Sequence, residues 1–121
     1  MPIQSPYEIQ REGDVLVATP MNFEVDPGDM LELASELCSG VRSDACRVVL
    51  LDLSHVAYLS SACLGELLGL ARDIEPMRAR VVLAGAEAAV REMLELTRLC
   101  EFFDAHDTVE EAWEALSSGG G

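Results

Sequence analysis

The sequence contains no lysine, and its basic side chains other than two histidines are eight arginines spread along the chain. It also contains 22 aspartates and glutamates, so the formal net charge is −14 at pH 7. Binding to nucleic acid or to an anionic membrane surface depends on clustered Lys and Arg, and this composition argues against both. It favours a protein partner with a basic surface, which would be attracted by electrostatic steering.

Long apolar runs and closely spaced cysteines are absent as well. No run approaches the roughly 20 residues of a membrane span, and MPIQSPYEIQREG at the start lacks the basic and apolar regions of a signal peptide. We therefore expect a cytoplasmic protein. Cys38, Cys46, Cys63 and Cys100 form no CxxC pair, so we expect no metal and no cofactor, and mostly buried, reduced thiols.

The usual catalytic and nucleotide-binding motifs are missing. There is no P-loop, no GxGxxG after a strand, no GxSxG and no HExxH. His55 precedes Ser61 by six residues, which leaves a Ser–His hydrolase as an alternative, but the pair lacks an evident orienting acid and an oxyanion glycine motif. We expect that the protein is not an enzyme.

Hydrophobic patterning predicts one domain over residues 1–116. YEIQ and VLVAT on either side of REGD predict a β-hairpin. The continuous apolar runs RVVLLDL and RVVLAG are typical of strands that are buried on both faces. EFFDAHD contains a candidate edge strand, and SSGGG at residues 117–121 is expected to be a flexible tail.

Apolar residues at helical spacing predict helices between these strands. The predicted helices are one from Met30 to Leu37 that ends near Gly40, one from Leu64 to Ala71 that Pro76 closes, one from Val90 to Thr97, and one from Val109 to Leu116. Asp26 or Asp29 is available to cap the first helix. Thr108 and Glu111 form a candidate capping box for the last. The alternation indicates an α/β fold with a mostly parallel sheet.

The stretch YLSSACLG, residues 58–65, joins a strand pattern to a helix pattern. Ser60 or Ser61 can act as the N-cap of that helix. A functional alternative is that one serine accepts a phosphate, because a helix N-terminus tolerates the added charge of about −2. Asp52 ends the preceding buried strand, where α/β proteins place functional groups, but from the residues alone a turn or cap is the favoured interpretation.

Two segments, VVLLDLSHVAYLSSACLGELLGLAR and ARVVLAGAEAAVREMLELTRLCEFFDAHDTVEEAWEAL, resemble the STAS domain of bacterial anti-sigma factor antagonists. The resemblance covers about residues 7–116. It implies a STAS-like mixed sheet of four to five strands that about four helices cover on one side. It also implies a role without catalysis: the unphosphorylated antagonist binds an anti-sigma factor serine kinase, phosphorylation releases it, and a phosphatase resets it.

The family motif Asp-Ser-Ser-Gly-Leu-Gly falls on residues 60–65. The phosphoacceptor of the family matches Ser61, and Ser60 is the fallback acceptor. By the same resemblance, the residues expected to contact the partner are Asp26, Asp52, Ser60, Ser61 and Leu64. Asp26 matches the Asp of the family's Gly-Glu-Leu-Asp, which reads FEVD here.

Three departures from the family pattern matter for the site. Ser60 replaces the Asp before the phosphoacceptor, Cys63 replaces the Gly that follows the serines, and Phe23 replaces the Gly of the earlier motif. These departures leave a second interpretation open, namely an unphosphorylated STAS scaffold in a signalling assembly or the small cytoplasmic subunit of a lipid transporter. The apolar helix end is also a candidate surface for homodimer formation.

Overall fold

The first two strands form a hairpin with a turn of only two residues. In the computed structural model, which describes residues 5–99 and 103–118, β1 (Tyr7–Glu12) pairs antiparallel with β2 (Val15–Pro20). Gly13 in the turn has a φ of 62°, a conformation that suits glycine in tight hairpin turns. The predicted turn REGD is therefore too long, because Arg11 and Glu12 continue β1.

Helices and strands alternate after the hairpin. The further elements are α1 (Pro27–Asp44), β3 (Val48–Asp52), α2 (Ser61–Ile74), a 3₁₀ turn (Glu75–Met77), β4 (Arg80–Ala84), α3 (Ala88–Leu96), β5 (Asp104–His106) and α4 (Val109–Ser118). The sheet has the order β1-β2-β3-β4-β5, and β2 to β5 are parallel. The predicted α/β fold, a mixed sheet of four to five strands with about four helices, is confirmed.

Alternate residues of the central strands belong to two separate cores. Those that pack with α1, α2 and α3 are Leu16, Ala18, Val49, Leu51, Val81 and Leu83. Those that pack with α4, through Ala112 and Trp113, are Val15, Val48, Leu50, Val82 and Ala84. Helices therefore cover both faces of the sheet, and the expectation that they lie on one side is wrong. A sheet with apolar residues on both faces needs cover on both.

Helix α1 continues beyond its predicted end. A Cβ at Gly40 would lie 2.8 Å from Leu16 Cδ1, so this glycine allows close packing of α1 on the sheet and does not stop the helix. The helix ends four residues later, at Asp44, and Ala45 follows in the left-handed conformation with a φ of 55°. Sequence patterning misplaces the end because a glycine that allows close helix packing looks the same in a sequence as a glycine that ends a helix.

The last helix extends two residues beyond its predicted end at Leu116. Helix α4 runs to Ser118, and the Thr108 hydroxyl accepts a hydrogen bond from the Glu111 N–H at 3.0 Å. The predicted N-cap of α4 is thus present. The first two residues of the expected tail are helical, and residues 119–121 lie outside the described part of the chain.

The cysteines whose positions are described are free thiols. Cys46 and Cys63 are buried and Cys38 is half-buried, whereas Cys100 lies outside the described residues. Burial raises the pKa of the Cys46 thiol, which keeps it protonated and unreactive. Within residues 5–99 and 103–118, no group of three or more His, Cys, Asp or Glu side chains is arranged to hold a metal, and no helix is long and apolar enough to cross a membrane.

Candidate functional site

Ser60 is the N-cap of α2. Its backbone is extended, with φ −74° and ψ 164°, and its hydroxyl oxygen accepts a hydrogen bond from the Cys63 N–H at 3.2 Å. Its carbonyl oxygen accepts the first helical hydrogen bond, from the Leu64 N–H at 3.0 Å. Of the two serines that the sequence offers as caps, Ser60 is therefore the one that caps the helix.

Ser61 is the first residue of α2, and its side chain is exposed. Within the described residues no hydrogen bond engages its hydroxyl group. The N–H groups of Ser61 and Ala62 have no acceptor within the helix, because the first-turn N–H groups of any α-helix lack one. The result is an accessible hydroxyl beside free donors and the positive end of a helix dipole.

A second segment runs alongside this helix start. The Phe23 carbonyl oxygen accepts hydrogen bonds from the N–H groups of Ala57 and Tyr58, at 2.8 Å and 3.0 Å. Glu24 and Tyr58 form an isolated parallel bridge. Residues 23–25, which lead into α1, are therefore fixed against the loop that leads into α2.

Cys63 connects the two helix starts. Its side chain is fully buried, and the thiol donates a hydrogen bond to the Val25 carbonyl oxygen at 3.2 Å. The family pattern has glycine at this position, but the inward direction of the thiol gives the larger side chain both room and a partner. The helix start keeps its N-cap with Cys63 in place.

Asp26 lies at the start of α1, one residue beyond Val25. It is the N-cap of α1, and its carboxylate accepts a hydrogen bond from the Gly28 N–H at 2.7 Å. The side chain remains exposed. The structure therefore brings Asp26, Ser60 and Ser61 into one region made of two adjacent helix N-termini.

Asp52 interacts elsewhere. Its carboxylate accepts a hydrogen bond from the Ser54 N–H at 3.0 Å, as in a turn, and its side chain lines an open cavity together with Gly85 and the start of α4. Gly85 has a φ of 74°, and a Cβ there would lie 3.5 Å from the Asp52 carboxylate. Asp52 thus interacts with the turn after β3 and lies in a cavity near α4, and within the described residues no hydrogen bond joins its carboxylate to the start of α2.

Leu64 differs from the other predicted contact residues because it is buried. Only 2% of it is exposed, and it packs in the core beneath α2. A partner could reach it only if α2 moved. We therefore assign Leu64 to the packing that holds the helix start in place and leave it out of the contact surface.

The alternative of a Ser–His pair has no geometric support in the structure. His55 is exposed in the loop before α2, and within the described residues no hydrogen bond joins its imidazole to Ser61 or to a carboxylate. A nucleophile needs a base within hydrogen-bond reach and an acid that orients the base.

Charge is distributed unevenly between the two ends of the sheet. We call the end where β2 to β5 begin the amino edge and the end where they finish the carboxyl edge. Seven of the eight arginines lie at or near the amino edge, by their positions in the elements: Arg11, Arg42, Arg47, Arg72, Arg78, Arg80 and Arg98. The eighth, Arg91, forms an ion pair with Asp107 at 2.7 Å. Ser61 therefore lies at the edge that has only one arginine, which is already paired.

Two aromatic side chains beside this helix start were not among the predicted site residues. Phe23 is 78% exposed and Tyr58 is 48% exposed. The sequence signal was the replacement of glycine by Phe23 in FEVD, and on its own it did not reveal whether the ring would be buried.

This combination of fold and helix start defines a class of protein. Residues 8–112 match the family model described as STAS domain. The chain belongs to the STAS domain family.

Three solved structures show how widely this fold is used. The anti-sigma factor antagonist SpoIIAA in its unphosphorylated form aligns with a TM-score of 0.78 and 17% identity, covering 92% of this chain and 96% of that one. The Bacillus cell fate determinant SpoIIAA in the phosphorylated form gives 0.71 and 16%, covering 91% and 98%. The murine anion transporter Slc26a9 gives 0.62 and 17%, but the match covers 87% of this chain and only 18% of the transporter. At these identities the similarity concerns the fold alone.

Proposed function

We propose that this chain is a cytoplasmic anti-sigma factor antagonist that is switched by phosphorylation of Ser61. In the unphosphorylated state it binds an anti-sigma factor serine kinase through the carboxyl edge and so frees a sigma factor. Phosphorylation by that kinase releases the antagonist, and a phosphatase restores it. Structural similarity to anti-sigma factor antagonists supports this class.

The observation that carries the proposal is that the two serine hydroxyl groups have different environments. The Ser60 hydroxyl is engaged as the N-cap, whereas the Ser61 hydroxyl is exposed beside free N–H groups. A kinase can therefore reach Ser61 without breaking the cap. A phosphate there would be tolerated by the helix N-terminus.

The electrostatics of the carboxyl edge explain how phosphate would act on binding. Glu24, Asp26 and Asp29 already make the region acidic, and the one arginine at this edge is paired with Asp107. A phosphoserine would find no free arginine of its own chain to neutralise it. Its charge would instead change the surface offered to the partner, which alters binding while the fold is kept.

The site assignment is tested by incubation with a purified anti-sigma factor kinase of the source organism and ATP, followed by intact-protein mass spectrometry. Wild type and Ser60→Ala should each gain one phosphate, and Ser61→Ala should gain none. Ser43→Ala is the matched control, because Ser43 is an exposed helical serine at the amino edge. Full phosphorylation of Ser61→Ala would show that the acceptor is another residue.

The switch itself is tested by isothermal titration calorimetry with the same kinase. Ser61→Asp should bind at least about 30-fold more weakly than wild type, because a charge is added within the contact surface. Ser43→Asp adds the same charge at the amino edge and should bind like wild type. Equal affinities of Ser61→Asp and wild type would contradict the switch.

A second candidate is an unphosphorylated scaffold. The observation that favours it is Ser60, which stands where the family pattern has Asp and which uses its only side-chain oxygen as the cap. The loss of that carboxylate removes a group that can orient the acceptor hydroxyl. A chain that binds its partner with unchanged affinity in the Ser61→Asp form, and that no kinase phosphorylates, would fit this candidate.

A further inference from the structure

Phe23 is exposed although its backbone is held in place. The two hydrogen bonds to its carbonyl oxygen, from Ala57 and Tyr58, attach it to the loop before α2. The ring contributes almost nothing to the core, since 78% of the residue is exposed. A rigid backbone with an exposed aromatic ring is the arrangement of an interface anchor, because little conformational entropy is lost when the ring is buried by a partner.

Other large apolar side chains lie at the same edge. Among the described residues, five large hydrophobic residues are exposed, and four of them are at the carboxyl edge: Met21, Phe23, Leu31 and Tyr58. We call these four the apolar patch. Met21 follows β2, and Leu31 lies in the second turn of α1. The fifth, Leu96, ends α3 at the amino edge.

The rim of the apolar patch is acidic. Glu24 follows Phe23 directly, Asp26 lies two residues further along the chain, and Asp29 lies in the first turn of α1. A second copy of this chain would bring the same charges against each other, and like charges facing each other across an interface are costly. The occupant that fits is a protein surface with an apolar pocket inside a basic rim.

We propose that Phe23 is a specificity-determining anchor, which fills an apolar pocket of the kinase partner while the acidic rim contacts basic residues around that pocket. The inference rests on the proposed function, because it concerns the same binding edge. It adds the chemistry of the partner surface. A chain with the family's glycine at this position would leave such a pocket empty, so Phe23 selects partners that have one.

The test uses isothermal titration calorimetry with a purified anti-sigma factor kinase of the source organism. Phe23→Ala should weaken binding by about 30-fold or more, as truncation of an aromatic anchor does. Leu96→Ala is the matched control: Leu96 is also 78% exposed but lies at the other edge, and its loss should leave the affinity unchanged. Neither variant removes core packing, so both should keep the wild-type melting temperature.

A salt series separates the two parts of the proposed surface. Wild type and Phe23→Ala should lose affinity with the same dependence on NaCl, because both keep the acidic rim. Glu24→Gln should show a weaker dependence. If Phe23→Ala changed the salt dependence and left the affinity at low salt intact, the ring would not be the anchor.

The outcomes distinguish this inference from the proposed function. Binding of wild type with equal binding of Phe23→Ala overturns the anchor and leaves the antagonist role in place. Absence of binding and of Ser61 phosphorylation in wild type overturns both. In analytical ultracentrifugation, a wild-type dimer that Phe23→Ala converts to a monomer would assign the apolar patch to self-association and overturn the inference.

Discussion

The two edges of the parallel sheet differ in how their polar groups are used. At the amino edge, Arg80 forms an ion pair with Asp104 at 2.6 Å, and Gly40 lets α1 pack closely against Leu16 nearby. At the carboxyl edge, the Ser61 hydroxyl has no partner among the described residues and Phe23 is exposed. In these examples the polar or small residue at the amino edge is engaged within the fold, whereas Ser61 and Phe23 at the carboxyl edge are left accessible.

Both edges contain helix termini, and α2 has a charge that favours its dipole at only one of its two ends. The last turns of α1 and α2 at the amino edge contain Arg42 and Arg72, which interact favourably with the negative end of a helix. The first turn of α2 at the carboxyl edge contains no acidic residue. The most favourable position for a negative charge on α2 is therefore unoccupied, and a phosphate on Ser61 would occupy it.

The largest expected contrast in stability concerns two helical glycines. Gly40→Val should lower the free energy of unfolding by about 1–3 kcal/mol, because a Cβ would lie 2.8 Å from Leu16 Cδ1 in a packed interface. Gly65→Ala, near the carboxyl edge, should raise it by about 0.5–1 kcal/mol, since nothing lies within 4 Å of the new methyl group. Urea unfolding measures both free energies. Changes of the same sign would contradict the conclusion that Gly40 is closely packed and Gly65 is not.

The next largest expected contrast is between the stability losses caused by alanine at Ser60 and at Ser61. Ser60→Ala should cost about 1 kcal/mol, because the Cys63 N–H loses its acceptor. Ser61→Ala should change the stability by less than about 0.5 kcal/mol, because its hydroxyl has no partner in the described part of the chain. Thermal unfolding followed by circular dichroism compares the two variants. Equal losses would mean that the cap is shared.

The smallest effect should come from added charge at the two edges. Ser61→Asp places a carboxylate at a helix N-terminus, and Ser43→Asp places one in the last turn of α1. Each effect is about 0.3–1 kcal/mol and the signs are opposite, so Ser61→Asp should be the more stable variant by about 1 kcal/mol. The difference should shrink in 1 M NaCl. A more stable Ser43→Asp would contradict the dipole argument.

Much of this fold is predictable from local patterns. The continuous apolar runs around Val48 and Val81 predict buried strands, and the Ser60 cap is visible as a serine at the junction of two periodicities. The end of α1 is not predictable in this way, because Gly40 serves packing against a strand more than 20 residues earlier in the chain. The same limit applies to Ser117, which is helical although its composition resembles a tail.

The candidate site was predicted in part. Residue patterning left Ser60 and Ser61 open, and the family resemblance indicated Ser61 but grouped Asp52 and Leu64 with it. In the structure Asp52 interacts with Ser54 and lines a cavity near α4, and Leu64 is buried. Direction and burial depend on neighbours that are distant in sequence, so a motif that places residues close in the chain does not place their side chains on one surface.

The sequence by itself determined the alternation of strands and helices, the strong acidity and the presence of a serine cap, because periodicity, composition and capping are local properties. Only the tertiary structure decided which groups meet. Hydrogen bonds from Ala57, Tyr58 and Cys63 to residues 23–25 bring the starts of α1 and α2 together and leave Phe23 exposed at the same edge as Ser61. The parallel topology also concentrates arginines at the opposite edge. Seven of them lie near strand starts or helix ends, and folding brings these termini to the same edge of the sheet.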